Sequence, residues 1–244
     1  MSARDKWCWE VAQRFRPDGG PSWAEVVRSE IGDLARDLRH PVILDAGCGT
    51  QNMMSADFAG RSAFRIGIDL DRESAGNSCL DGFVQSDVGR IPLRDDSVDL
   101  LLSGYVLEHL ADPVGALREF RRVLKPGGTA FVWTPNLLNY AILVSALTPT
   151  AFHNWVRRRS FDDTQRDNCP THYRANTPGA LMRAVRSAGL VPRGALRFGA
   201  GSYQYWRFSK PLFLAATVGS GLVARTPLRR LMNVLVLRCT KPVA

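Results

Sequence analysis

The chain has 244 residues, enough for one α/β domain with a full core and room for insertions. A hydrophobic content of 45% with 23% charged residues excludes a disordered or fibrous chain, and no apolar run reaches the ~18–20 residues of a membrane-spanning helix. The net charge of +9 is carried almost entirely by arginine, because lysine occurs only at Lys6, Lys125, Lys210 and Lys241. Those arginines are spread along the chain, with local clusters at Arg157-Arg158-Arg159 and Arg229-Arg230, so charge alone gives little reason to expect nucleic-acid binding. The opening MSARDKWCWE is too polar for a secretion signal, and a cytoplasmic protein is expected. Cys8, Cys48, Cys79, Cys169 and Cys239 are odd in number and scattered, which fits reduced thiols and neither a disulfide framework nor a zinc site.

Residues 1–40 read as an N-terminal helical segment, two helices split by Pro17-Asp18-Gly19-Gly20-Pro21. Ser22 suits the N-cap of the second, with Glu25 at the capping-box position. From residue 41 the pattern alternates strands and helices. Strands are expected at Pro41–Asp45, Arg65–Asp69, Phe83–Gln85, Val98–Ser103 and Thr129–Thr134. The first, fourth and fifth are continuous apolar runs, as in parallel strands buried on both faces. A helix is expected over Pro113–Leu124, stopped by Pro126-Gly127-Gly128. This βαβ order predicts a doubly wound α/β sheet. Residues 136–176 read as a long irregular region. A helix over Pro178–Ala188 ended by Gly189, a strand over Leu190–Phe198 and a last strand over Met232–Leu237 follow. The insertion 203–230 holds the apolar stretch from Pro211, which reads as a packing helix, as a lid over an acceptor, or as a peripheral membrane contact.

In an open α/β sheet, ligands sit at the carboxyl ends of the strands near the point where strand order reverses. Reading those positions in order gives Asp45 with Gly47 and Gly49, then Asp69, Asp87, and Ser103-Gly104-Tyr105. Three of these ends carry acids, whereas a phosphate site favours cations or bare backbone amides. A ligand with a sulfonium, an ammonium, a ribose diol and an adenine suits the acids better. Asp69 lies twenty positions beyond Gly49, the spacing at which an acid after the second strand accepts from ribose hydroxyls. Asp87 is placed to accept from an adenine amino group while the Val88 amide donates to a ring nitrogen. Asp45 is placed to brace the glycine turn and favour the ammonium.

LDAGCGT, GIDLD, SDVGRIPLRDDSVDLLLSGYVLEHLADPVGALREFRRVLKPGG and TPN closely resemble class I S-adenosylmethionine-dependent methyltransferases, and most nearly their type 11 group, which includes the ubiquinone and menaquinone biosynthesis methyltransferases. The likeness is close over about residues 40–135. Thr171-His172-Tyr173, Thr177-Pro178 and Ala188-Gly189-Leu190 also resemble the later part of that family. The resemblance implies a Rossmann-like, three-layer α/β/α domain over 41–244, with a seven-stranded sheet whose last strand is reversed. It implies cofactor contacts from Asp45, Ala46, Gly47, Gly49, Asp69, Leu70, Asp87, Val88 and Ser103, with S-adenosyl-L-methionine as cofactor and S-adenosyl-L-homocysteine as product. One departure stands at Gln51, where the family has glycine. A side chain is tolerated there if φ is negative, at the start of the next helix.

The expected reaction is methylation of a small-molecule or lipid-linked acceptor, at oxygen. Catalysis then rests on holding a nucleophile in line with the sulfonium methyl, helped by a base if the acceptor is a hydroxyl. Tyr105, His109 and His172 are the candidates, and His109 reads more readily as a structural residue at a helix start than as a base. The acceptor-side segments are expected at 136–176, which also holds His153 and Tyr173, and at 203–230. Asp162, Asp163 and Asp167 read as a solvated face, so no metal is expected. Amino-methylation of nucleic-acid bases is disfavoured, because Ser103-Gly104-Tyr105-Val106 replaces the Asn/Asp-Pro-Pro-aromatic turn. A nicotinamide dehydrogenase would place glycine where Asn52 stands. An RNA-modifying methyltransferase and a non-catalytic scaffold stay open as alternatives.

Overall fold

The computed structural model describes residues 3–36, 38–50, 63–147 and 170–243. The elements in order are α1 (Ala3–Phe15), α2 (Trp23–Arg36), β1 (Val42–Ala46), β2 (Phe64–Asp69), β3 (Gly82–Gln85), β4 (Val98–Gly104), α3 (Pro113–Val123), β5 (Leu124–Pro135), α4 (Tyr140–Leu147), α5 (Pro178–Ser187), β6 (Val191–Gly199), α6 (Lys210–Ala224) and β7 (Val234–Thr240). Gln51, Asn52, His153, Arg157 to Arg159, Asp162, Asp163, Asp167 and Cys169 lie outside the described residues.

The sheet runs β3-β2-β1-β4-β5-β7-β6. The chain moves outward from β1 to β3 on one side, then returns to β4, so the order reverses between β1 and β4. Both β1 pairings are parallel, with Asp45 opposite Gly67 on one side and Leu102 on the other. This is the Rossmann-like α/β architecture with its last strand reversed. The reversal shows at the strand end, where Gly127 N donates to Lys241 O and Lys241 N donates to Gly128 O.

The chain groups into two compact units. One comprises Val27–Thr134, Thr171–Leu196 and Val236–Ala244. Its centre is built from Ile43, Leu44, Leu100, Leu101, Leu102 and Phe131, each no more than 2% exposed. Burying such side chains stabilises by about 1.5–3 kcal/mol apiece, which is why continuous apolar runs settle into the middle of the sheet. On α3, Asp112 caps Gly115 N at 2.9 Å, and Ala116, Leu117, Phe120 and Val123 form the buried face. Arg122, on the same helix, donates to Ile91 O and Leu93 O and pairs with Glu119 and Asp95. That strap fixes the loop running on from Asp87.

The other unit comprises Met1–Val26, Pro135–Pro170 and Arg197–Leu235. Cys8, Val11, Tyr203, Phe213 and Met232 form its core. The expected capping box is present: Ser22 N donates to Glu25 Oε2 at 2.7 Å and Glu25 N to Ser22 Oγ at 3.2 Å. Two buried asparagines tie distant segments together. Asn136 donates to Arg230 O and Met232 O, and Asn139 donates to Leu231 O, all at 2.8 Å.

Two sequence expectations need correction. Pro126-Gly127-Gly128 does not stop the helix, because α3 has ended at Val123 and β5 already runs from Leu124. These residues form an irregularity inside the strand pair, where the register shifts between Val98 and Leu100, with Gly127 at φ +79°. Part of the irregular region is helical: α4 begins behind Asn139, whose Oδ1 accepts from Ala141 N at 3.0 Å. Its sequence, Tyr-Ala-Ile-Leu-Val-Ser-Ala-Leu, is apolar almost all round and shows no periodicity to read.

Candidate active site

The carboxyl ends of β1, β2, β3 and β4 converge because these strands are parallel neighbours. Gly47 and Cys48 donate their amides to Ile68 O at 2.7 and 3.1 Å, folding the turn after β1 onto β2. The turn requires left-handed backbone at Gly47 (φ +79°) and Gly49 (φ +54°). At Gly47 a Cβ would also lie 2.1 Å from Val106 Cγ2, so the turn packs flush against the residue after Tyr105. Above Gly49, by contrast, nothing among the described residues lies within 4 Å of where a Cβ would project.

Asp69 holds the turn from the neighbouring strand. Its Oδ2 accepts from Gly49 N and its Oδ1 from Asp71 N, both at 2.9 Å. Asn77, which the sequence reading missed, completes the brace. Its Nδ2 donates to Gly49 O at 3.1 Å and Cys48 O at 3.4 Å, and its Oδ1 accepts from Cys79 N. Asn77 is 4% exposed in a short stretch that looks like a solvated turn, and only the fold shows what it reaches.

Cys48 is buried inside the turn. Burial, with the charges of Asp45 and Asp69 nearby, pushes its thiol up to about 12, so it stays protonated and is no nucleophile. Asp45 and Ala46 are buried at the end of β1, and Leu70 is exposed just past β2. Asp87 is exposed beyond β3, with Gly89 N donating to its Oδ1 at 2.7 Å, and Val88 beside it is buried. Ser103 ends β4 almost fully buried, and its Oγ meets no hydrogen-bond partner among the described residues.

Tyr105 leaves β4 in left-handed backbone (φ +59°), half exposed, with its amide donating to Trp133 O at 2.9 Å. The turn Leu107–His109 follows, holding His109. Glu108, 4% exposed, anchors that turn. Its carboxylate accepts from Thr134 Oγ1 at 2.9 Å, and Thr134 Oγ1 in turn accepts from Asn176 Nδ2 at 2.7 Å. Its backbone carbonyl accepts from His172 N at 2.6 Å and Tyr173 N at 3.1 Å. The structure therefore brings the backbone of His172 onto the turn that carries His109. Glu108, Thr134 and Asn176 were not singled out from sequence, where Thr134 reads only as the end of a buried strand. Among the described residues, no group of three or more His, Cys, Asp or Glu is placed to hold a metal ion.

Residues 44–132 match the sequence family described as the methyltransferase domain, a span that runs from β1 into β5. The ubiquinone biosynthesis O-methyltransferase of Aeromonas salmonicida is 28% identical over 195 residues, covering 76% of each chain. Among solved structures, a chain of the complex between the Haloferax volcanii Trm112 methyltransferase activator and a methyltransferase superposes with a TM-score of 0.57 at 20% identity, over 99% of this chain and 98% of that one. The geranyl diphosphate C-methyltransferase of Streptomyces coelicolor A3(2), solved with Mg2+, geranyl diphosphate and S-adenosyl-L-homocysteine, superposes with a TM-score of 0.52 at 16% identity, over 89% of this chain and 81% of that one. At such identities the structural likenesses speak for the fold, and the matched sequence across the glycine turn and strand ends speaks for the chemistry. Over residues 44–132, from β1 into β5, the chain is thus similar to the methyltransferase domain family, on a fold shared with solved methyltransferase structures.

Proposed function

We propose that this enzyme methylates an oxygen of a small-molecule or lipid-linked acceptor, holding its cofactor at the ends of β1 to β4. The observation that carries the cofactor site is the glycine turn tied to Asp69, with no described residue within 4 Å of where a Gly49 Cβ would project. The buried, unbonded Ser103 Oγ facing no protein partner adds a second polar atom suited to a ligand. Both fit S-adenosylmethionine, which needs close backbone approach and acceptors for its ribose and ammonium, and offers no phosphate for cations to hold.

In this proposal Asp69 uses the acceptor capacity left on its two oxygens for the ribose hydroxyls, while Asp87 and the Val88 amide hold the adenine. Asp45, Ala46, Gly47, Gly49 and Leu70 shape the wall of the site, and Ser103 bonds the amino-acid end. When bound, the cofactor supplies an electrophilic methyl on a sulfonium. The protein's part is to keep the acceptor close and aligned, exclude water, and accept the hydroxyl proton. His172 is proposed as that base, with Tyr105 and His109 as positioning residues beside it. The carboxylate–threonine–asparagine link through Glu108 holds the two segments in register. Oxygen as the target is supported by the similarity to the ubiquinone biosynthesis O-methyltransferase.

Calorimetry with S-adenosylmethionine and S-adenosylhomocysteine tests the site, with micromolar binding expected. A folded protein giving no heat would leave the scaffold reading in its place. RNA binding whose affinity falls steeply with salt would favour the RNA-modifying reading.

A further inference from the structure

Helix α6 has only one charge in its fifteen residues, Lys210 at its start. Its inner face is well seated within its own unit. Phe213, Thr217 and Gly221 recur every fourth residue and are buried. Phe213 meets Trp7 at 5.9 Å and Tyr203 at 5.6 Å between ring centroids. At Gly221 a Cβ would lie 3.1 Å from Phe15 O, so the helix lies tight against the end of α1.

The outward face is just as apolar. Pro211, Leu212, Leu214, Ala215 and Leu222 are all exposed, Leu222 by 61%. A helix apolar all round is ordinarily surrounded by protein or lipid, yet here one side meets solvent. Just past its end, the turn Pro227–Leu231 exposes Leu228 by 57% and Leu231 by 46%, beside the exposed Arg229 and Arg230, with Arg225 one turn earlier. Over Arg197–Leu235, the stretch of this unit that holds α6, the chain has six Lys and Arg and no Asp or Glu.

We propose that the outward face of α6 and the turn after it dock on an anionic lipid surface. Three features select a bilayer over another occupant. The outward face of α6 offers no donor or acceptor side chain, whereas protein interfaces carry roughly one hydrogen bond per 100–200 Å². A two-fold pairing of this face with a second copy would bring two sets of Arg225, Arg229 and Arg230 together. The absence of acids across Arg197–Leu235 matches a negative surface potential, and arginines at the edge of an apolar insertion sit at headgroup depth. The helix is too short to cross a membrane, and no described helix is long and apolar enough to do so, so it lies in the interface. The inference rests on this unit alone and is independent of which atom is methylated.

The test is co-sedimentation of the full chain with phosphatidylcholine vesicles and with vesicles containing phosphatidylglycerol, at low and high salt. Binding is expected to the phosphatidylglycerol vesicles, weakening with salt. Leu222→Glu, and separately Arg229→Gln with Arg230→Gln, should each weaken it roughly tenfold or more. Leu228→Glu lies outside the helix and should act alike, which guards against a helix that merely fails to fold. Thermal melting and cofactor calorimetry check each variant for an intact domain. Equal sedimentation with and without phosphatidylglycerol, or variants that bind as well as the parent, would overturn the proposal. So would a dimer in ultracentrifugation that Leu222→Glu dissolves while vesicles are ignored.

Discussion

The amide of Gly49 donates to Oδ2 of Asp69 at 2.9 Å, so the acid that ends β2 holds the glycine turn that follows β1. From spacing alone Asp69 has one task, the ribose. In the fold its carboxylate already holds the glycine turn and the Asp71 amide, and the proposed ribose contact would be a further task. Asp69→Ala should therefore lower S-adenosylmethionine affinity at least about tenfold, with a stability loss of about 1–2 kcal/mol from the released Gly49 and Asp71 amides. Calorimetry and denaturant unfolding measure the two separately. Unchanged affinity would remove Asp69 from the ribose role.

Ser103 gives the opposite pattern. Its buried Oγ has no partner among the described residues, so Ser103→Ala removes an unsatisfied group. Stability without cofactor should stay level or rise by up to about 1 kcal/mol, while affinity falls roughly three- to tenfold. A variant that loses stability but binds normally would place Ser103 in the scaffold instead.

The Gly47–Val106 contact predicts a coupling. Gly47→Ala forces a side chain into φ +79° and sets its Cβ 2.1 Å from Val106 Cγ2. The cost should exceed about 2 kcal/mol. In a Val106→Ala background the nearest remaining Val106 atom is Cβ at 3.5 Å, an ordinary contact. The same substitution should then cost at least about 1 kcal/mol less. Additive costs in urea unfolding would show that backbone strain alone sets the penalty.

Asp18 gives the protein a pH signature away from the site. Burial raises its carboxyl to about 6, outweighing the lowering by the Ala200 and Trp23 amides it accepts from, and Glu25 adds to the rise. A carboxyl raised in the folded state binds its proton more tightly there than in the unfolded chain. Stability from this group is thus full below about pH 4, falls as pH rises to about 6, and is flat beyond. Asp18→Asn removes that dependence. Between pH 4 and 7 its stability should shift in the variant's favour by up to about 3 kcal/mol relative to the parent, read by melting temperature across pH. Parallel curves would show that Asp18 is not buried as charge.

The fold class and the order of the strand ends were legible because they rest on local regularities. Val42 to Leu44 and Leu100 to Leu102 are runs that only a doubly covered strand can bury, and Gly47, Asp69 and Asp87 sit where parallel strands must end. The capping box of Ser22 and Glu25 was equally plain, since its partners are three residues apart.

What escaped was whatever depends on residues meeting from far along the chain. Asn77 reaching back to Gly49, Thr134 joining Glu108 to Asn176, and Asn136 holding the carbonyls of Arg230 and Met232 each look in sequence like polar residues of a turn or strand end. Their partners are 26 to 96 positions away, beyond the reach of any periodicity. Sequence by itself determined the α/β class and which acids end the strands, because hydrophobic period and spacing encode them locally. Tertiary structure alone decided how the glycine turn is braced, that Cys48 is sealed, and that His172 comes to the turn holding His109, because buried polar groups take whichever partner the packed fold delivers.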